Sequence, residues 1–461
     1  MKKINLAVIL VLLCINFNDA QSLLNLNYKH GTLPTNLKPT DVTSAYTTWK
    51  TKFTESCGDD RIRVKFDNPA QTVSEGIGYG MLIAAYAGDQ TLLDGLWKYY
   101  INFLNGNGVM NWKINGCSSV DGQNGATDAE LDAAIALMVA ERRWGNTGTI
   151  NYGTAATNLI DIIKTHEVES GTNVLKPGDA WGGSQTTNIS YYSPGYYRAY
   201  GSYTNDSNWA AIASKSYEII NLNQSVNNAV HNLVSDWCNA NGGFSSEVGW
   251  AKNQGKTYSY DAARTPWRIA VDYLWYGNNA ALTYSNKSID FINDKGGLDN
   301  IYAGYNLDGT QLGDVNYKDI TFTGAYAVAA MASTDQNFVN SAYSQVVNMT
   351  TNAYFGSTLR VLYLLAMSGN FYNPEDLSVL GTSNFNVNQQ NNPFYPNPAR
   401  REIKMTFETP QDNQVKIYNI NGKLVSKYEY NIKSSTLDIE NLSRGLYFIS
   451  INNIKYKLIK Q

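Results

Sequence analysis

Ser74-Glu75-Gly76-Ile77-Gly78-Tyr79-Gly80-Met81, running on into Leu82-Ile83-Ala84-Ala85-Tyr86-Ala87, sets three glycines into the start of an otherwise helical pattern. Each glycine costs a helix about 1 kcal/mol relative to alanine, so the pattern predicts that something approaches this backbone closely. The glycines alternate instead of following G-x-G-x-x-G, and no clear strand leads in, which argues against a dinucleotide fingerprint. Glu75 and Tyr79, four apart, share a helical face. On spacing alone Glu75 is either a functional acid or an N-terminal charge favoured by the helix macrodipole.

Outward from this segment, apolar residues recur at helical spacing between loops rich in Gly, Asn, Ser and Tyr. Helices are expected over 75–87, 92–104, 127–144, 155–165, 209–222, 266–275, 322–331 and 358–367, with weaker ones in the gaps and few convincing strands. About a dozen helices in one all-α domain favour helix pairs closed into a ring, although bundles and solenoids also stack such pairs. From 368 to 392 the composition turns to Asn, Gln, Ser and Pro, which is linker chemistry. Beyond it the period becomes two, over 402–407, 414–420, 423–430, 436–439 and 446–451, with Asn421-Gly422 as a hairpin turn. A small β-sandwich is expected there.

The chain has 461 residues, 43% of them hydrophobic and 16% charged, enough for one large core and an appended unit. A net charge of -3 without long single-sign runs gives no footprint for nucleic acid. The 33 Tyr and 10 Trp supply rings that stack while keeping a polar edge, surfaces that suit sugar faces. Lys2 and Lys3 precede an apolar run over 6–13, and small or polar residues follow to Ala20, the pattern of a cleaved secretory signal. Cys14 raises a lipid anchor, but Leu13 stands where a small residue is expected before a lipidated cysteine. No later apolar run is long enough to span a bilayer. Cys57, Cys117 and Cys238 allow one disulfide and one free thiol, and their spacing does not select the pair.

Only His30, His166 and His231 occur, scattered and without metal-ligand spacing, so no metal or organic cofactor is expected and the chemistry falls to carboxylates. In Ala126-Thr127-Asp128-Ala129-Glu130-Leu131-Asp132, Thr127 and Glu130 form a capping box, and Asp128 and Asp132 share a face of the helix that follows. Acids at a helix start need no function to be stabilising. In Tyr258-Ser259-Tyr260-Asp261-Ala262-Ala263-Arg264-Thr265-Pro266-Trp267-Arg268, Thr265 can cap a helix with Pro266 at its first position. Asp261 then lies in the loop before it, where Arg264 can hold the carboxylate ionised, or the two form a structural pair. Glycoside hydrolysis needs one protonated carboxyl and one ionised carboxyl across the sugar ring, a division Glu75 and Asp261 can supply.

These segments, with Asn111-Trp112-Lys113-Ile114, Ser190-Tyr191-Tyr192-Ser193-Pro194 and Ser357-Thr358-Leu359-Arg360-Val361-Leu362, resemble glycoside hydrolase family 8 over about residues 30–370. The resemblance implies an (α/α)6 barrel and an inverting, endo-acting glycosidase. By that likeness Glu75 matches the general acid and Asp261 the general base of the subfamily containing the cellulases. Asp128 matches the aspartate that helps distort the sugar at the cleavage point. Trp112 and Trp181 match aromatic platforms, and Tyr191, Tyr260 and Arg264 match residues lining the cleavage point. The chain departs from the family pattern at Glu130, where Asp is usual, and at Ala263, where several relatives carry Cys.

A β-1,4-glucan is the substrate expected first, with xylan, mixed-linkage glucan and chitosan as alternatives on the same scaffold. A glycan-binding protein without catalysis and a polysaccharide lyase are readings from other classes; the lyase would lack its usual Tyr, His and Arg set. Phe394-Tyr395-Pro396-Asn397-Pro398-Ala399, Ser443-Arg444-Gly445-Leu446-Tyr447 and the basic end Lys457-Leu458-Ile459-Lys460 resemble the C-terminal sorting domain of type IX secretion cargo, against the alternative of a stability or carbohydrate-binding module. The expected organisation is a signal peptide over 1–20, a catalytic domain over 21–370, a linker over 371–391 and a β-sandwich over 392–461. Export through the periplasm to the cell surface or medium follows from it, with the type IX machinery as partner and a monomer as the working form.

Overall fold

Burial along the chain sorts its helices into two kinds. The computed structural model describes residues 23–377, 394–406, 413–419, 424–430, 434–451 and 454–461, so the expected signal peptide, linker positions 378–391 and the Asn421-Gly422 turn lie outside the described residues. The α-helices described are α1 (Pro39–Phe53), α2 (Ser74–Ala87), α3 (Gln90–Asn102), α4 (Thr127–Trp144), α5 (Tyr152–Ile162), α6 (Pro194–Thr204), α7 (Asn208–Val226), α8 (Thr265–Tyr276), α9 (Asn279–Asp294), α10 (Ile320–Ala329), α11 (Gln336–Asn348) and α12 (Tyr354–Met367). Every residue of α2 except Glu75 is buried, as are α4 from Thr127 to Ala140 and the whole of α10. By contrast α9 buries one stripe, Ala281, Tyr284, Ser285, Ser288, Phe291 and Ile292. A helix apolar all round must be enclosed, whereas a single stripe marks an outer helix.

The even-numbered helices accordingly form an inner ring. α2 packs on α4, α6 on α8, α8 on α10, α10 on α12, and α12 back on α2. Tyr200 of α6 completes the circle by donating to the Leu131 carbonyl of α4 at 2.5 Å. Outside them α1 lies on α12, α3 on α2, α5 on α4, α7 on α6, α9 on α8 and α11 on α10. This is the (α/α)6 barrel. The glycine-rich start of α2 has the close neighbour its sequence predicts: a Cβ on Gly78 would stand 2.8 Å from the Ala129 carbonyl oxygen of α4. Only a residue without a side chain lets these two inner helices approach so closely.

Three local expectations are corrected. Thr127 is the first helical residue of α4, not its cap, and its hydroxyl faces inward beside Glu167, while Glu130 accepts from Tyr100 at 3.0 Å instead of reaching back to the helix start. Likewise Arg264 occupies the cap position of α8, and the Thr265 hydroxyl is buried. In both cases the helix starts a residue earlier than the capping pattern suggests, which turns the hydroxyl into the barrel. A strand does lead into the glycine segment: β3 (Gln71–Val73) pairs antiparallel with β4 (Lys113–Asn115), and β4 with β5 (Ser119–Gly122). It follows a hairpin of β1 (Thr54–Gly58) and β2 (Arg61–Val64). Cys57 of β1 is disulfide-bonded to Cys117, and Cys238 is a buried free thiol. Packing runs past Asn370, since Phe371 and Tyr372 belong to the barrel core.

The C-terminal body has its own core. One sheet orders β10 (Ser434–Asp438), β7 (Glu402–Thr406) and β6 (Phe394–Tyr395), and the other orders β12 (Ile454–Lys460), β11 (Gly445–Ile451), β8 (Asn413–Asn419) and β9 (Leu424–Tyr430). Ile403 and Met405 from the first meet Val415, Ile417, Ile449 and Leu458 from the second in one cluster. Two sheets sharing a dry interior make the expected β-sandwich. The basic end that looked like a motif is strand β12. No described helix is long and apolar enough to cross a membrane.

Candidate active site

The starts of the inner helices converge on one cleft. A cavity of about 530 Å³ is lined by Ser74 and Glu75 of α2, Asp128 of α4, Thr321 of α10, and Phe355 and Gly356 of α12, with Tyr191 and Tyr260 from the segments entering α6 and α8. Inner helices thus turn their N-terminal, electropositive ends toward a shared space, a setting that favours negative charge.

Arg264 organises that space. Its guanidinium is 2% exposed and donates through Nη1 to Asp128 Oδ2 at 2.8 Å, Glu75 Oε2 at 3.0 Å and the Tyr79 hydroxyl at 3.2 Å. Through Nη2 it reaches the Ser190 hydroxyl at 2.8 Å and Asp261 Oδ1 at 2.9 Å. Tyr191 lies under the guanidinium, 5.2 Å from ring centre to carbon. One turn further, Arg268 grips both oxygens of Asp132 at 2.5 and 2.7 Å. The i,i+4 pair Asp128 and Asp132 on α4 therefore meets the i,i+4 pair Arg264 and Arg268 in register, and these rungs fix the entry to α8 against the start of α4.

The three carboxyl groups around Arg264 differ in exposure and in hydrogen-bond partners. Glu75 has its pKa pushed up to about 8, mainly by burial, with Arg264 opposing and the charges of Asp128 and Asp261 adding. It also accepts from the Tyr354 hydroxyl at 3.1 Å. Nη1 carries two hydrogens for three acceptors, and its shortest contact is to Asp128. Arg264 is the main influence lowering the Glu75 pKa, and burial outweighs it. Asp128 rises to about 6, again chiefly through burial with Arg264 opposing. The Asp261 side chain is 36% exposed and is held by three donors: Arg264 and Asn188 (3.2 Å) on Oδ1, and the Trp237 indole (3.1 Å) on Oδ2.

The aromatic residues singled out from the sequence fall in two places. Trp112 lines the cleft, 42% exposed, and packs over Gly122, whose Cβ would come within 2.4 Å of the indole; its carbonyl accepts from the Ser74 amide at 2.9 Å. Tyr260 reaches Asp319 Oδ2 at 3.2 Å. Trp181 is not part of that lining; it stacks on Trp237, 5.6 Å between ring centres, and joins the site through the base of Asp261. Sequence reading missed Tyr354, Asn188, Ser190, Trp237 and Asp319. Tyr354 opens a helix whose predicted start was 358, and the others lie in aperiodic loops. Among the described residues no group of His, Cys, Asp and Glu could hold a metal ion.

Residues 32–369 match the family model described as glycosyl hydrolases family 8, and residues 393–461 match the secretion system C-terminal sorting domain. Endoglucanase 2 of Ruminiclostridium josui is 41% identical over 339 residues, covering 72% of this chain and 71% of its own. Endoglucanase A of Acetivibrio thermocellus is 40% identical over 341 residues, covering 72% and 69%. The solved apo β-1,3-1,4-glucanase of Paenibacillus sp. X4 superposes with a TM-score of 0.69 at 29% identity, over 75% of this chain and 97% of that one.

Proposed function

Because the chain belongs to the glycosyl hydrolases family 8 and is a glycosidase carrying a secretion sorting domain, we propose that it is an exported, inverting endo-β-1,4-glucanase in which Glu75 is the general acid and Asp261 the general base. The observation that carries this reading is the unequal treatment of two carboxyl groups by one guanidinium. The Glu75 side chain is 20% exposed and its pKa is pushed up to about 8, while the Asp261 side chain is 36% exposed and held by three donors. Glu75 gives its proton to the glycosidic oxygen as Asp261 takes one from a water on the opposite ring face.

Asp128, held by the same guanidinium at 2.8 Å, is assigned the role of bonding the sugar at the cleavage point and holding it distorted. Trp112 offers a stacking face along the cleft, and Trp181 another beyond Asp261. β-1,4-Glucan is favoured over other polymers because the relatives near 40% identity are endoglucanases. A monomer exported through the periplasm by the type IX machinery completes the reading.

The test is a product assay on carboxymethylcellulose, lichenan, xylan and chitosan, with NMR of the anomer first released. Fastest release from carboxymethylcellulose with the α-anomer appearing first is expected. A first product of β-configuration would overturn inversion, and preference for another polymer would reassign the substrate.

A further inference from the structure

Asp261 has about four lone-pair positions as a carboxylate. Oδ1 receives both Arg264 and Asn188, and Oδ2 receives the Trp237 indole, leaving one position, on Oδ2, for a water molecule. Trp237 is itself 5% exposed and fixed by three rings: Trp181 stacked on it, and Tyr191 and Trp250 edge-on at 6.4 and 5.5 Å. Its neighbour Asp236 accepts from the amides of Ser259 and Ala262, both at 2.9 Å, which bracket Tyr260-Asp261. Asp236 thus clamps the backbone that carries Asp261 while Trp237 holds the side chain.

We propose that Asp236 and Trp237 are positioning residues for the base, and that the Trp237 indole selects the Oδ2 lone pair that takes the proton from the attacking water. Neither touches the reacting atoms. A second consequence is that a sugar stacked on the open face of Trp181 presses on the ring that orients Asp261, so occupancy of that platform and alignment of the base are linked. The inference rests on the assignment of Asp261 as base.

Trp237→Phe keeps an aromatic six-membered ring and removes the indole N–H together with the five-membered ring that carries it. Asp261 then keeps Arg264 and Asn188 on Oδ1 and loses its Oδ2 partner. The expected result is a kcat lowered roughly 10- to 100-fold on a cello-oligosaccharide with KM little changed, as for a misplaced catalytic group. Asp236→Asn retains an acceptor for both amides and is expected to keep more activity than Asp236→Ala. Thermal unfolding of each variant tells loss of fold from loss of alignment. Asp261→Ala, assayed with and without azide, tests the premise: activity near wild type would remove Asp261 as base. If Asp261→Ala is inactive while folded Trp237→Phe keeps the wild-type kcat, the positioning role alone is overturned.

Discussion

Arg264 lies 3.0 Å from Glu75, yet the acid holds its proton to about pH 8 because burial outweighs that attraction. The same cation serves Asp128 at shorter range, and the negative charges of Asp128 and Asp261 beside it raise the Glu75 pKa further. An arginine at a catalytic acid would ordinarily lower the pKa by one to three units.

Activity should therefore fall as pH rises through about 8, where Glu75 loses its proton. Tyr354→Phe removes a donor that favours ionised Glu75, so the alkaline limb of kcat/KM should move further up. Glu75→Gln should lower kcat by roughly 10²- to 10⁴-fold and spare aryl glycosides whose leaving group needs no proton. A steady alkaline limb in Tyr354→Phe, with an unchanged rate in Glu75→Gln, would reject Glu75 as the acid.

Removing one member of the Arg268–Asp132 pair should damage stability more than removing both. Each side chain is 1% exposed, and an unpaired buried charge costs about 3–5 kcal/mol, whereas an apolar replacement of the whole pair is often near neutral. Urea unfolding of Asp132→Asn, Arg268→Met and Asp132→Leu/Arg268→Met would check the order.

Glu167 is wholly buried near Asp179 and Glu130, and burial, aided by the charge of Asp179, raises its pKa from 4.5 to about 8. Below 4.5 both folded and unfolded chains hold this proton. Between 4.5 and 8 only the folded chain does, so stability falls as pH rises through that window, by about 1.4 kcal/mol per unit for one proton. Glu167→Gln should flatten the decline measured by chemical unfolding at pH 5, 6, 7 and 8. An identical slope would remove Glu167 from it.

The Cys57–Cys117 bridge closes a loop with a sequence separation of 60 residues around β3, α2 and α3. Cys57→Ser/Cys117→Ser should lower stability by about 2–5 kcal/mol without shifting either pH limb, since neither sulfur touches Arg264 or its partners.

Much of this architecture was legible because inner helices announce themselves as unbroken apolar runs: the span predicted for α4, 127–144, matches the observed helix. The motifs carrying Glu75, Asp128 and Asp261 meet around the Arg264 guanidinium. What could not be read is what lies across the barrel. The hydroxyls of Thr127 and Thr265 looked like caps because spacing shows only the neighbours along the chain, not the interior they face. Asn188, Asp236 and Trp237 occupy loops without period, and their alignment on Asp261 depends on three segments distant in sequence.

Ring closure has a consequence in time. Glu75 and the Tyr354 hydroxyl that partners it are separated by 279 residues, and α12 carrying Tyr354, the last of the described helices in chain order, packs on both α2 and α10. A chain missing that final stave has the acid but not its pocket. Hydrolysis should thus be silent in every partly folded form and switch on only when the circle is complete, making turnover itself a clock for the end of folding.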